Sequence, residues 1–271
     1  MTVQEQEKSL SNFWRDKFMK IFFILFGIFL LMSCKAQPQY YQQKVSSHKE
    51  IAKIYFQEGR YAEALKELEL AKDTDKCDAE TFNLLGLVYM ARKEFVKAEE
   101  AFYEALKLDP NFSEAYTNLG SLRMMQGKYR EALSYFEKAL SNPLYLNSYI
   151  TLTNMGWAYY QLGDKEKALM YLQKALNERA RFSKALIYMA LIYLNEGDLS
   201  SSEFYLKRVL KADRSNLEAR YYLGEVFFRQ GRLDLAKEIW ESILSISPES
   251  EWGTLAEQKI YLIEKLKANN S

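Results

Sequence analysis

A chain of 271 residues with 48% hydrophobic and 27% charged side chains can bury a sizeable core, which excludes the intrinsically disordered class. Its 37 basic and 36 acidic residues leave no net field to draw a phosphate backbone, so nucleic acid is not an expected partner. Only 4 Pro and 11 Gly, set against 20 Tyr and 16 Phe, fit packed helices better than a fold built on turns.

The first feature along the chain is Ile21 to Met32, twelve residues without a polar side chain, broken only by Gly27. Spanning a bilayer takes about 20 apolar residues. The run is too short for that and fits the apolar core of a secretory signal peptide, with Arg15, Lys17 and Lys20 as its positive flank. Met19-Lys20 ahead of the run would begin a complete short signal, so Met19 is an alternative start. Leu31-Met32-Ser33-Cys34 then resembles the lipobox of bacterial lipoproteins. That resemblance implies a signal peptide over residues 1–33, cleavage before Cys34, a lipid on Cys34, and a protein facing the periplasm. Lys35 stands where an aspartate would favour retention at the inner membrane, which leans the expectation toward the outer membrane. The glutamine-rich stretch 35–44 reads as a tether between lipid and fold. With Cys34 lipidated, Cys77 has no intramolecular partner and reads as a small packing residue.

From residue 45 onward the sequence repeats. Small residues recur at Ala52, Gly86, Gly120, Gly156, Ala190 and Gly224, at spacings of 34, 34, 36, 34 and 34. An aromatic follows three residues later at Tyr55, Tyr89, Tyr159, Tyr193 and Phe227. A second small residue falls twelve past the first at Ala64, Ala98, Ala132, Ala168, Ser202 and Ala236. Apolar residues at helical spacing around these sites predict two helices per unit. Antiparallel helices approach closely only where small side chains occupy the crossing. Turn glycines stand just past the first helix at Gly59, Gly127, Gly163, Gly197 and Gly231, where a left-handed cap costs least, and Lys93 replaces the glycine in the second unit.

This pattern resembles the tetratricopeptide-repeat (TPR) family, with Leu85-Gly86, Tyr89, Ala98, Phe102, Ala105 and Pro110 as the best-matching unit. Arg123, where an aromatic is usual, and Ser202, where alanine is usual, depart from it. The resemblance implies an all-α solenoid of six helix-turn-helix repeats over 45–250, wound as a right-handed superhelix. Trp252 to Lys267 reads as a further helix, within a capping segment 251–271, that covers the last exposed apolar face. It also implies that the first helices line a concave groove. The groove positions fall on Leu87, Met90, Met124, Trp157, Tyr160, Ile187, Leu191, Leu194, Tyr221 and Phe228, an apolar and aromatic trough suited to a helix or an extended peptide.

Signals for chemistry are missing from the sequence. The single histidine, His48, cannot form a histidine pair, and no phosphate loop, nucleophile elbow or Cys-x-x-Cys occurs. The expectation is therefore no enzyme, no cofactor, no metal and no small-molecule substrate, but a protein partner and a membrane reached through the lipid. Lipobox, tether and six repeats together resemble the type IV pilus biogenesis lipoproteins, or pilotins. So does the two-residue lengthening of the period at Ser141-Asn142-Pro143-Leu144-Tyr145. That resemblance implies a scaffold that assists a secretin subunit in reaching the outer membrane and assembling. The alternative is an adaptor for cell-wall hydrolases or for another envelope assembly complex.

Overall fold

The structure, a computed structural model, describes residues 47–72 and 78–269. The expected signal peptide and tether, Cys34 and Cys77 lie outside the described residues. Among those described there are thirteen helices and no strand. No described helix is long and apolar enough to cross a membrane. The chain divides into two compact units, one ending at Asp109 and one starting at Pro110. The first holds α1 (described over 47–57), α2 (Tyr61–Lys72), α3 (Ala79–Ala91) and α4 (Phe95–Leu108). The second holds α5 (Ser113–Met125), α6 (Tyr129–Leu140), α7 (Ser148–Gln161), α8 (Lys165–Glu178), α9 (Ser183–Asn195), α10 (Leu199–Ala212), α11 (Leu217–Arg229), α12 (Leu233–Ile246) and α13 (Glu251–Asn269).

Local chemistry sets the helix ends. Asp78, Asp164, Asp198 and Asn216 each stand just before a helix and accept a hydrogen bond from a backbone N–H three residues on, satisfying a donor the helix leaves unpaired. At the other end the chain reverses through a left-handed residue. After α5 this is Gly127, at φ 72°; its N–H donates to Met124 O, and Lys128 N–H donates to Arg123 O, both at 2.9 Å. After α3 the same two bonds form around Lys93, at φ 61°, the one non-glycine residue in this region among those described.

Packing within a pair follows from the small residues. The Phe136 ring of α6 lies against Gly120 of α5, where an added Cβ would come within 2.3 Å of the ring; Phe102 and Gly86 repeat the arrangement in the first unit. Both rings are fully buried. Truncating such a ring to alanine costs about 3–5 kcal/mol. Arg123, which replaces the usual aromatic, lays its guanidinium 6.0 Å from the Tyr135 ring and 3.2 Å from Glu131, so an intra-pair contact is kept by other chemistry.

In the second unit each second helix packs on the next first helix, and first helices also touch one another in series: α5 on α7, α7 on α9, α9 on α11, α11 on α13. Second helices make no such series among the described residues. The first helices therefore lie on the inner, tighter side of this unit. Its main core joins Leu172, Leu186, Leu206, Leu223 and Trp240. In the first unit Ala52, Leu68, Leu85 and Val88 form a separate core. The C-terminal helix α13 docks through Ala256 and Ile263, both fully buried. Its outer face is only partly polar, because Tyr261, Leu262 and Leu266 are exposed beside Glu257, Glu264 and Lys265.

Candidate partner-binding face

In the first unit the expected contact residues Leu87 and Met90 are half-buried on α3, Leu87 against the local core. At the N-terminal end of α3, Lys49 of α1, nearly buried, donates from Nζ to Asp78 Oδ2 at 2.7 Å and Glu80 Oε2 at 2.6 Å. Burial pushes both carboxyls up, but the bonds from Lys49, with those from Thr81 to Asp78 and from Lys53 to Glu80, outweigh it and hold them below their ordinary values. Burial likewise pulls Lys49 down, and its two carboxylates leave it raised. His48 Nδ1 lies 2.7 Å from Glu67 Oε2, a contact between α1 and α2. These charges are spent on holding helices together. No group of three His, Cys, Asp or Glu side chains able to hold a metal occurs among the described residues.

The inner side of the second unit is the more developed surface. Trp157 of α7 stacks on Tyr188 of α9 with ring centroids 4.4 Å apart and planes 20° from parallel, and packs on Tyr160 at 5.4 Å. Tyr160 accepts from Asn195 Nδ2 at 3.0 Å. Leu191 lies one turn beyond Tyr188 on the same helix and is half-buried. Around this apolar centre runs a polar line. Asn154 Nδ2 donates to Ser121 Oγ at 3.1 Å, and Lys184 Nζ reaches Asn154 Oδ1 at 3.4 Å. Lys184 is an exposed residue, and its ammonium lies 5.6 Å from the Tyr188 ring centroid. Burial there lowers its pKa, with Glu218 of α11 opposing. Burial raises the Glu218 carboxyl, with Lys184 opposing, and pushes Tyr188 up to about 12. Among the described residues no ion pair joins these two opposite charges, and burial is the larger cause of the shift of each.

Two of the expected contacts are corrected. Ile187 and Leu194 are each 3% exposed and belong to the core with Leu172 and Leu206, so they offer no area to a partner. Tyr221 and Phe228 are half-buried, but α13 engages their rings: Trp252 packs on Tyr221 at 5.3 Å and Lys259 Nζ sits 5.7 Å from the Phe228 centroid. Met124 is half-buried against the cluster of Phe136 and Met155. Tyr188 and Tyr222 were not among the expected contacts, yet both are half-buried on this side, Tyr222 meeting Trp252 at 5.9 Å. Their signal was present: two tyrosines 34 residues apart, two positions before the small residue of successive repeats.

Helix pairs crossing on small residues, reversed by left-handed turns and stacked through their first helices, define a protein-binding repeat scaffold. The chain is a tetratricopeptide-repeat protein: models of that repeat match residues 79–112, 111–177 and 193–258. Two solved structures share its fold over nearly their whole length. The type IV pilus biogenesis factor PilW superposes with a TM-score of 0.67 at 23% identity, covering 78% of this chain and 97% of PilW. PilF of Pseudomonas aeruginosa superposes with a TM-score of 0.64 at 19% identity, covering 81% of this chain and 99% of PilF. Among sequence relatives, anaphase-promoting complex subunit 3 of Schizosaccharomyces pombe is 26% identical over 192 residues, 69% of this chain but only 28% of that protein. Photosystem I assembly protein Ycf3 of Prochlorococcus marinus is 32% identical over 111 residues, 40% of this chain and 64% of its own.

Proposed function

We propose that this protein is a membrane-anchored scaffold of type IV pilus biogenesis, a pilotin that assists a secretin subunit in reaching the outer membrane and assembling there. The observation that carries the reading is the joint occurrence of a TPR array alike in fold to PilW and PilF over 97% and 99% of their lengths and a Leu31-Met32-Ser33-Cys34 segment that resembles a lipobox. In this reading the lipid on Cys34 confines the array to the membrane, and confinement raises the effective concentration of whatever the array binds. The inner face of the second unit, centred on Trp157, Tyr188 and Leu191, grips an apolar segment of the partner. Half-buried aromatic rings held rigid by stacking suit that task, because they bring contact area at little entropic cost.

Affinity capture of the lipidated protein from its native envelope, with Cys34→Ser as the control, tests the reading. Co-purification of a secretin with the wild type and its loss from the variant is the expected result. Capture of cell-wall hydrolases or of another assembly complex in its place would overturn the pilus assignment while leaving the scaffold.

A further inference from the structure

The loop joining α6 to α7, residues 141–147, is where the 34-residue period lengthens by two, and it carries the most exposed leucines of the described chain. Leu144 is 82% exposed and Leu146 is 89% exposed, against 73% for Val96, the next large apolar side chain. The loop is not loose. Tyr145, between the leucines, is 8% exposed, and its hydroxyl lies 3.1 Å from Thr117 Oγ1, itself 2.6 Å from Thr151 Oγ1. Asn142 fixes the other side, accepting from Leu144 N–H through Oδ1 at 3.0 Å and from Tyr145 N–H through its carbonyl at 3.2 Å. With the central tyrosine pinned inward, its two neighbours are held outward and cannot fold back onto the core.

The surroundings indicate what covers them. Ser141 to Asn147 contains no charged residue, in a chain that is 27% charged. Clefts on either side of the loop are lined by Lys138 on one side and by Lys174 with Glu178 on the other, where the Glu178 carboxylate is already engaged by Ser148 Oγ at 2.6 Å. Lys138 Nζ rests 5.8 Å from the Tyr116 centroid and Lys174 Nζ 5.1 Å from the Tyr171 centroid, and among the described residues neither has a carboxylate within ion-pair distance. Two projecting aliphatic knobs on an uncharged loop, flanked by unpaired ammonium groups, match a medium that is apolar beneath and anionic at its surface. Such a medium yields around the knobs and needs no preformed pocket.

We propose that this loop is a second membrane contact, in which Leu144 and Leu146 enter the lipid headgroup region while Lys138 and Lys174 meet lipid phosphates. The proposal rests on the membrane anchoring put forward above. Two leucines give too little partitioning to hold a protein by themselves, but once an anchor has confined the chain, that partitioning is enough to press this end of the second unit against the surface.

The test uses the full chain, lipidated at Cys34 and carrying C77S with L144C. The new thiol bears an environment-sensitive fluorophore, and the protein is reconstituted on vesicles of phosphatidylethanolamine and phosphatidylglycerol, with or without doxyl-labelled acyl chains. A label at S200C on α10 is the control. The dye at 144 is expected to shift to the blue and be quenched by the doxyl lipid, the dye at 200 to do neither, and L146D to weaken the loop's insertion about tenfold, the weight of one leucine. Flotation with the vesicles but no quenching at 144 would overturn the proposal and leave the anchor standing. A blue shift that arises only on adding envelope protein, without doxyl quenching, would reassign the leucines to a protein partner. Failure to float would overturn the anchor and this proposal together.

Discussion

A single hydroxyl illustrates how closely the fold depends on small side chains. Ser202 occupies the second small-residue position of its repeat, filled by alanine in the other five, and is fully buried with no hydrogen-bond partner for its Oγ. A buried hydroxyl without a partner loses its water and regains nothing. Ser202→Ala is therefore expected to stabilise the fold by about 1 kcal/mol, read as a Tm roughly 2–4 °C higher in a thermal melt. An unchanged or lowered Tm would mean that the hydroxyl is satisfied in solution. Sequence alone marked Ser202 as a departure but could not say whether a neighbour compensates for it. For Arg123, the comparable departure, Tyr135 and Glu131 do so.

At the scale of the element, the turn after α3 is the one place where the repeat asks for glycine and the chain supplies lysine. Lys93 sits at φ 61° with the same two backbone bonds that close around Gly127. A residue with a Cβ gives up about 1–2 kcal/mol in that region. Lys93→Gly should regain roughly half of it, since glycine also loses more freedom on folding, and Lys93→Val should cost at least as much again. Paired thermal melts of the two variants would check the ordering. The link between α1 and α3 gives a second expectation. Asp78 and Glu80 are held below their ordinary values of 3.8 and 4.5, so the stability they contribute is present above those values and is lost as pH falls through the lowered folded values. Lys49 is raised above 10.5, so its share is present below that pH and is lost only as pH rises through its folded value. The Tm difference between wild type and Lys49→Met is therefore expected to hold from neutral pH down to the carboxylate range and to shrink below it. A difference unaffected by acid would assign the effect of Lys49 to packing.

For the whole molecule, the repeat architecture was legible because its physical requirement is local. A close helix crossing demands a small residue at a fixed place, and the spacing of Ala52, Gly86, Gly120, Gly156, Ala190 and Gly224 states that demand directly. The candidate partner-binding face was legible only in part. Trp157 and Leu191 are half-buried on the inner side of the second unit, while Ile187 and Leu194 are drawn into the core. Burial at those positions depends on the residues stacked above and below them, which a single repeat does not specify. Tyr188 escaped notice because its position holds asparagine in the two preceding repeats, Asn118 and Asn154. The exposed leucines of the 141–147 loop stood out in sequence only as a break in the period, and the inward anchoring of Tyr145 is what makes their projection plain.

The central claim is that the inner face of the second unit, around Trp157, holds a partner protein. The measurement that tests it most directly is capture of protein partners from the native cell by the wild type and by the Trp157→Glu, Leu191→Glu double variant, with circular dichroism confirming that both are equally helical. Neither side chain is fully buried, so the helices are expected to survive the change while the captured partner falls at least tenfold, the usual weight of a buried aromatic anchor at an interface. An equally helical double variant that captures the partner as well as the wild type would contradict the account.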